Sequence, residues 1–394
     1  MLPTKTYNNA LYIFPLNMQK PASQNIIRIL QYLNLKMYFT VLSPNHCLLM
    51  MMLPKKSCVV IHKNTSLHYV LLRSKIQMLI HYYVIPLYHF LKVSRNVKSV
   101  LILQSLHYPL SLLILSRLLR KKTYLYLGGD QINVLTALRS FLSLRKKVIN
   151  SWMLLSHKLA LCMADRIIFI SGKLLENTSY SYLKTMTNKI CVAPNFPDKE
   201  FHSLFKLKKK IRERPPAIGY VGAFAHYKGF YNFLKAIPAM IGRKPDIQII
   251  IIGDTRTAFP PVIKEIMKSL AKEYPRNIKF QGYIPHKLLP DYLNNIRLLI
   301  LPSFTEGIPH VILESMACCT PVLASPVGGV PEIIQDGVTG FLLVNTSPQE
   351  IAKKVLELID NLPVLEKVSM NASSKIKKFK FEKTVQQWKQ CLEV

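Results

Sequence analysis

Residues 298–317 read Leu298-Leu-Ile-Leu-Pro-Ser-Phe-Thr-Glu-Gly-Ile-Pro-His-Val-Ile-Leu-Glu-Ser-Met-Ala317. The opening apolar run is short and bounded by proline, which reads as a strand buried on both faces. It delivers Glu306 into a loop, Gly307 permits a tight turn, and Pro309 suits the first turn of a helix. Glu314 falls about a turn and a half into that helix. Backbone N–H groups left over at the helix start, with the helix dipole, can hold a phosphate without a metal.

Strand–loop–helix units of this kind repeat on both sides. The spacing predicts strands at Ala217–Val221, Ile247–Ile252, Ile278–Gln281 and Pro321–Ala324. Helices are predicted at Tyr231–Ile241, Pro261–Tyr274, Leu289–Asn294, Pro309–Cys318 and from Pro348 onward. Such alternation is the signature of a doubly wound α/β domain, whose ligands bind beyond the carboxyl ends of the strands. Before it, Phe201–Pro216 is charged and ends in a double proline, which reads as a surface linker or the approach to a strand. The first half also alternates, with strands expected at Leu11–Phe14, Cys58–Ile61, Ser99–Gln104, Thr123–Leu127, Ala164–Ser171 and Lys189–Asn195. A chain of 394 residues has room for two such domains.

With 49% hydrophobic residues and 14 glycines, the composition excludes disordered and collagen-like classes. Seven cysteines without a C-x-x-C pair suggest neither zinc nor a disulfide framework, and read as buried thiols in a reducing compartment. The N-terminus reads as no signal peptide, and the apolar stretches near Ile76–Leu91 and Leu101–Leu119 are too interrupted to span a bilayer. The expectation is a cytoplasmic protein.

The formal charge of +32 is uneven: the first 190 residues carry 25 Lys and Arg against three acids. Leu112–Lys122 and Leu138–Met163 interleave basic and apolar residues, which favours an anionic membrane surface over nucleic acid, for which no motif is present. At roughly 1 kcal/mol per cation near such a surface, about five cations give reversible, sub-millimolar docking.

Three segments land where a ligand would sit. Gly219-Tyr-Val-Gly-Ala-Phe-Ala-His-Tyr-Lys-Gly229 ends a strand at Gly222, where a missing side chain admits a ligand to the backbone, and Lys228 can offset diphosphate charge. Its spacing fits neither a Walker A loop nor G-x-G-x-x-G. Ile249–Asp254 is a buried strand ending in Gly-Asp. The third segment is the one quoted first. A single glutamate is ordinarily a surface carboxylate, but two framed by strand, glycine, proline and helix are not readily read that way.

Glu306 and Glu314 match the E-x7-E motif of retaining GT-B glycosyltransferases, and Glu-Gly-Ile-Pro and Glu-Ser-Met-Ala resemble glycosyltransferase family 4. Cys319–Ile334 and Asp336–Phe341 are similar to the family's continuation; Gly128-Gly-Asp, Ala164-Asp-Arg and Pro194-Asn195 resemble it more loosely. The resemblance implies two Rossmann-like domains facing across a cleft. The first would span 1–200, joined through a 201–216 linker to a donor domain at 217–375, with residues 376–394 returning to the first. It implies that Glu306 faces the transferred sugar, Glu314 binds the ribose and Lys228 stabilises the leaving diphosphate. Gly222 would admit the phosphates, the backbone of Gly307 and Ile308 would contact donor oxygens, and Tyr283 and Ile284 would lie along the base.

Two departures stand out. The arginine frequent after the phosphate-loop glycine is Ala223 here, which leaves Arg256 as a substitute cation. The histidine frequent before the glycine pair is Leu127, which leaves Asp130 and His107 as acceptor-side candidates. No D-x-D occurs, so transfer without a metal or other cofactor is expected. The expected partners are a UDP- or GDP-type nucleotide sugar, a lipid-linked or cell-surface glycan acceptor and an anionic membrane, with no nucleic acid. The alternatives are a soluble transferase acting on a small metabolite or free glycan, a basic nucleic-acid-binding protein, and an inactive scaffold.

Overall fold

The computed structural model describes residues 10–16, 26, 28–30, 33, 36–41, 58–61, 87–88, 90–91, 94–103, 110–130, 132, 144–176, 178–196, 199–253 and 261–393. Its chain forms two compact units, Met1–Phe196 with Glu382–Val394, and Pro197–Phe381. Each is built on a parallel sheet, because its strands are apolar runs that must be covered on both faces.

The first unit holds β1 (Ala10–Leu16), β2 (Lys36–Val41), β3 (Cys58–Ile61), β4 (Ser99–Ile102), β5 (Lys122–Leu127), β6 (Arg166–Phe169) and β7 (Ile190–Val192), in the order β3-β2-β1-β4-β5-β6-β7. Helices α1 (Leu110–Leu118) and α2 (Leu144–Met163) pack together, and Leu101, Leu125 and Ile168 are among the buried strand residues. β2 escapes the sequence reading because no glycine or proline separates it from the helical residues before it. No described helix is long and apolar enough to cross a membrane.

The second unit runs β8 (Ala217–Val221), α3 (Phe230–Arg243), β9 (Gln248–Ile252), α4 (Pro261–Glu273), β10 (Ile278–Gly282), α5 (Leu289–Leu293), β11 (Leu298–Leu301), α6 (His310–Ala317), β12 (Val322–Ala324), β13 (Phe341–Leu342), α7 (Pro348–Leu358) and α8 (Leu362–Ile376). Its sheet order is β10-β9-β8-β11-β12-β13. Phe233, Ile237, Ile249, Ile251, Ile351 and Val355 share one core, in which α3 packs on α7. α9 (Phe381–Leu392) belongs to the first unit from Glu382 onward.

Two expectations are corrected here. Segment 201–216 is not a free linker: Phe201, Phe205, Ile211 and Arg214 are buried in the second unit. The Arg214 guanidinium donates to the nearby carbonyl of Lys209 and, far along the chain, to the carbonyls of Ile296 and Cys318 and to Thr320 Oγ1, so its charge is satisfied largely by oxygens distant in sequence. The cysteines are not all buried thiols. Cys191 is disulfide-bonded to Cys391, with Cα atoms 5.8 Å apart, because α9 brings residue 391 beside β7, and Cys162 is exposed.

Candidate active site

In the second unit the strand order reverses between β8 and β11, which are parallel neighbours. At such a switch point the loops leaving the two strands part in opposite directions and open a crevice at the carboxyl edge. The loop after β8 carries a 3-10 turn at His226–Lys228 and enters α3 through Gly229, at φ +66°. A Cβ on Gly229 would sit 1.8 Å from the Pro302 carbonyl oxygen, so only glycine lets this loop lie on the end of β11. Phe304 N donates to Tyr227 O at 2.9 Å, and the His226 and Phe304 rings stack 5.2 Å apart.

This docking brings Lys228 onto Glu306. Lys228 Nζ lies 2.7 and 2.8 Å from the two carboxylate oxygens, and Ser303 Oγ donates to Oε1 at 2.6 Å. The Glu306 side chain is 6% exposed and that of Lys228 24%, so the carboxylate is enclosed while the ammonium can still meet an arriving anion. Enclosure of a carboxylate is tolerated because a cation and a hydroxyl satisfy it. Behind it, the loop after β12 presses on the backbone. A Cβ on Gly328 would lie 1.8 Å from the Glu306 carbonyl oxygen, and Gly329 N donates to Gly307 O at 2.7 Å.

Gly222 is different. The nearest atom to a Cβ there is Tyr220 Oη at 3.5 Å, an ordinary contact, so protein packing does not require glycine. Gly307 and Ile308 are buried between β11 and α6. Pro309 proves to be the N-cap of α6 rather than a residue of its first turn, and no side chain caps that end. The helix start thus keeps unclaimed N–H groups beside Glu306 in sequence.

Glu314, one turn into α6, is buried with Oε1 2.7 Å from His286 Nε2. That hydrogen bond raises the His286 pKa against the opposing effect of burial. The Phe205 ring lies 5.1 Å from the imidazole. His310, at the start of α6, has its pKa lowered by burial, and its Nε2 finds no partner among the described residues. Tyr283 and Ile284 follow β10 on the same edge of the sheet, Tyr283 exposed and Ile284 half-buried.

The structure therefore joins Lys228 to Glu306 directly, sets Gly222, Tyr283 and Ile284 just beyond strand ends of one sheet, and puts Gly307 and Ile308 in the loop leading to α6, which carries Glu314. Asp130 is a buried residue of the first unit, following β5. His107 and Arg256 lie outside the described residues. Ser303, His286, His310 and Gly328 were missed in the sequence; only Gly328 carried a signal, as part of a Gly-Gly pair in the family-like continuation. No group of His, Cys, Asp or Glu suited to a metal ion occurs among the described residues.

Residues 201–375 match the family of glycosyl transferases group 1. Relatives that this segment resembles include an uncharacterised glycosyltransferase of Methanocaldococcus jannaschii, 32% identical over 42% of this chain and 44% of the relative. An α-D-kanosaminyltransferase of Streptomyces kanamyceticus is 30% identical over 42% and 43%. A GDP-mannose-dependent mannosyltransferase of Corynebacterium glutamicum that acts on a monoacylated phosphatidylinositol mannoside is 27% identical over 41% and 42%. The matches thus span less than half of these relatives. Over the whole chain the fold is GT-B: HepE of Anabaena, solved with UDP and glucose, aligns at TM-score 0.72 and 18% identity, covering 98% of this chain and 99% of that one. Sucrose-phosphate synthase of Thermosynechococcus elongatus aligns at TM-score 0.72 and 16% identity, covering 98% of each.

Proposed function

We propose that this protein transfers a sugar, with retention of anomeric configuration and without a metal, from a UDP- or GDP-type donor to a lipid-linked or cell-surface glycan acceptor. It does so at the inner face of the cell membrane, as a family 4-like enzyme. The observation that carries the reading is the Lys228–Glu306–Ser303 cluster at the switch point, next to the uncapped start of α6.

When the diphosphate arrives, Lys228 turns from the carboxylate toward phosphate, and the N–H groups at the start of α6 share that charge. Glu306, still held by Ser303, then faces the positive charge developing at the anomeric carbon and stabilises it. Glu314 receives the ribose diol. The acceptor assignment rests on the basic, apolar first half, and one relative is named for a lipid-anchored acceptor. Another is named for kanosamine transfer, which favours the second reading, a transferase acting on a small metabolite.

A panel of UDP- and GDP-sugars scored by thermal shift, followed by labelled transfer to membrane extract in excess chelator, tests this. A product with the same anomeric configuration as the donor, read by NMR, is expected. An inverted product would remove retention, and transfer only to small soluble acceptors would select the second reading.

A further inference from the structure

Arg120 occupies a backbone position where glycine is usual. α1 closes in a Schellman motif, with Lys121 N donating to Ser116 O at 2.8 Å, Arg120 N to Arg117 O at 2.9 Å, and Arg120 at φ +53°. The backbone gains nothing from a side chain there. That side chain, with those of Arg117, Lys121, Lys122 and Arg166, lines a concavity of about 440 Å³ whose wall also includes Tyr124, Asp165 and Glu393. Glu393 pairs with Lys122 and Arg166, and Asp165 accepts from Thr123 N and Oγ1. No acid pairs with Arg117, Arg120 or Lys121 among the described residues. One cation at a helix C-terminus is an ordinary dipole complement, but three within one turn repel one another.

The same turn exposes leucines. Leu118 is 74% exposed and Leu119 is exposed beside it, with Ile114 exposed one turn earlier. Lys122 opens β5 and Arg166 opens β6, so the cluster sits at the amino ends of the strands, the opposite edge from Asp130. It is therefore separate from any chemistry at the carboxyl edge.

We infer that this corner of the first unit is a membrane-docking site, whose concavity takes the phosphate of an anionic lipid headgroup while Leu118 and Leu119 enter the acyl boundary. Aliphatic side chains ringed by unpaired cations suit that interface. A soluble phosphate has no use for the leucines, and single-stranded nucleic acid is held by exposed aromatic rings, which the exposed turn lacks. The inference rests on the membrane association proposed above and deepens it. Docked by this edge, six-residue β5 holds its carboxyl end about 20 Å from the lipid.

The test is co-sedimentation of the full chain, at physiological salt, with vesicles of phosphatidylglycerol and phosphatidylcholine in equal parts, and with phosphatidylcholine alone. The wild type should bind only the anionic vesicles. Arg117→Ala, Arg120→Gly and Lys121→Ala should each weaken binding about fivefold, and Leu118→Ser about tenfold. Arg120→Gly should also raise Tm by relieving the left-handed residue, so its loss of binding cannot come from unfolding. If the wild type binds and all four variants bind equally well, this site is wrong and another face docks. If the wild type ignores anionic vesicles, the membrane reading falls with it. Displacement by glycerol phosphate with no effect of Leu118→Ser, or tighter variant-sensitive binding to single-stranded RNA, would also overturn it.

Discussion

Glu306 shares its oxygens between Lys228 and Ser303, so changing it alters charge and geometry together. Glu306→Gln keeps the shape and should lower kcat about 10³-fold, while Tm stays within a few degrees because Lys228 reaches solvent; single-turnover assay and thermal melting check this. Glu314→Gln should act chiefly on donor KM. A second titratable residue bears on stability. Burial pushes His157 down to about 4. The unfolded chain takes up that proton near 6.5 and the native protein only near 4, so the native state loses about 3 kcal/mol as pH falls across that range. Denaturant titrations at several pH values should show this slope, and His157→Leu should flatten it. His286 has the opposite sign: its raised pKa supplies stability below 6.5 that fades as pH rises through the folded value.

At the scale of the element, two glycines of one loop do different things. Gly229 is demanded by its left-handed φ and by the Pro302 carbonyl, so Gly229→Ala should cost about 2 kcal/mol or more and detach the Lys228 loop from β11. Gly222→Ala meets only ordinary contact in the protein, so stability should hold while donor KM rises. Urea melts read the first effect and initial-rate kinetics the second. The sequence marked both as glycines of a ligand loop and singled out Gly222. Which of them the fold itself requires depends on the end of β11, far along the chain. The predicted strands and helices of the second unit match closely because each apolar run is punctuated by glycine or proline. Segment 201–216 failed because its charges and prolines resemble a linker, whereas Arg214 is solvated by carbonyls that only the folded chain supplies.

Across the whole molecule, α9 completes the first unit. Trp388 is buried, its Nε1 donates to Pro194 O at 2.9 Å, and its ring lies 5.1 Å from that of Tyr126. Trp388→Ala should destabilise the first unit by about 3–5 kcal/mol and leave the second unit's transition unchanged, which hydrogen exchange resolved by unit would show. A single shared loss would mean that the two units unfold together.

Amino-acid order alone determined two parallel sheets, the strand–loop–helix that carries Glu306 and Glu314, and a strongly basic first half, because apolar periodicity, punctuation and charge are local properties of a chain. Tertiary structure decided that Lys228 rests on Glu306, that His286 holds Glu314, that Cys191 meets Cys391, and that three cations at the end of α1 pair with no acid among the described residues. Each of these depends on which distant strand ends and helices become neighbours, and that is set by the packing of the sheets.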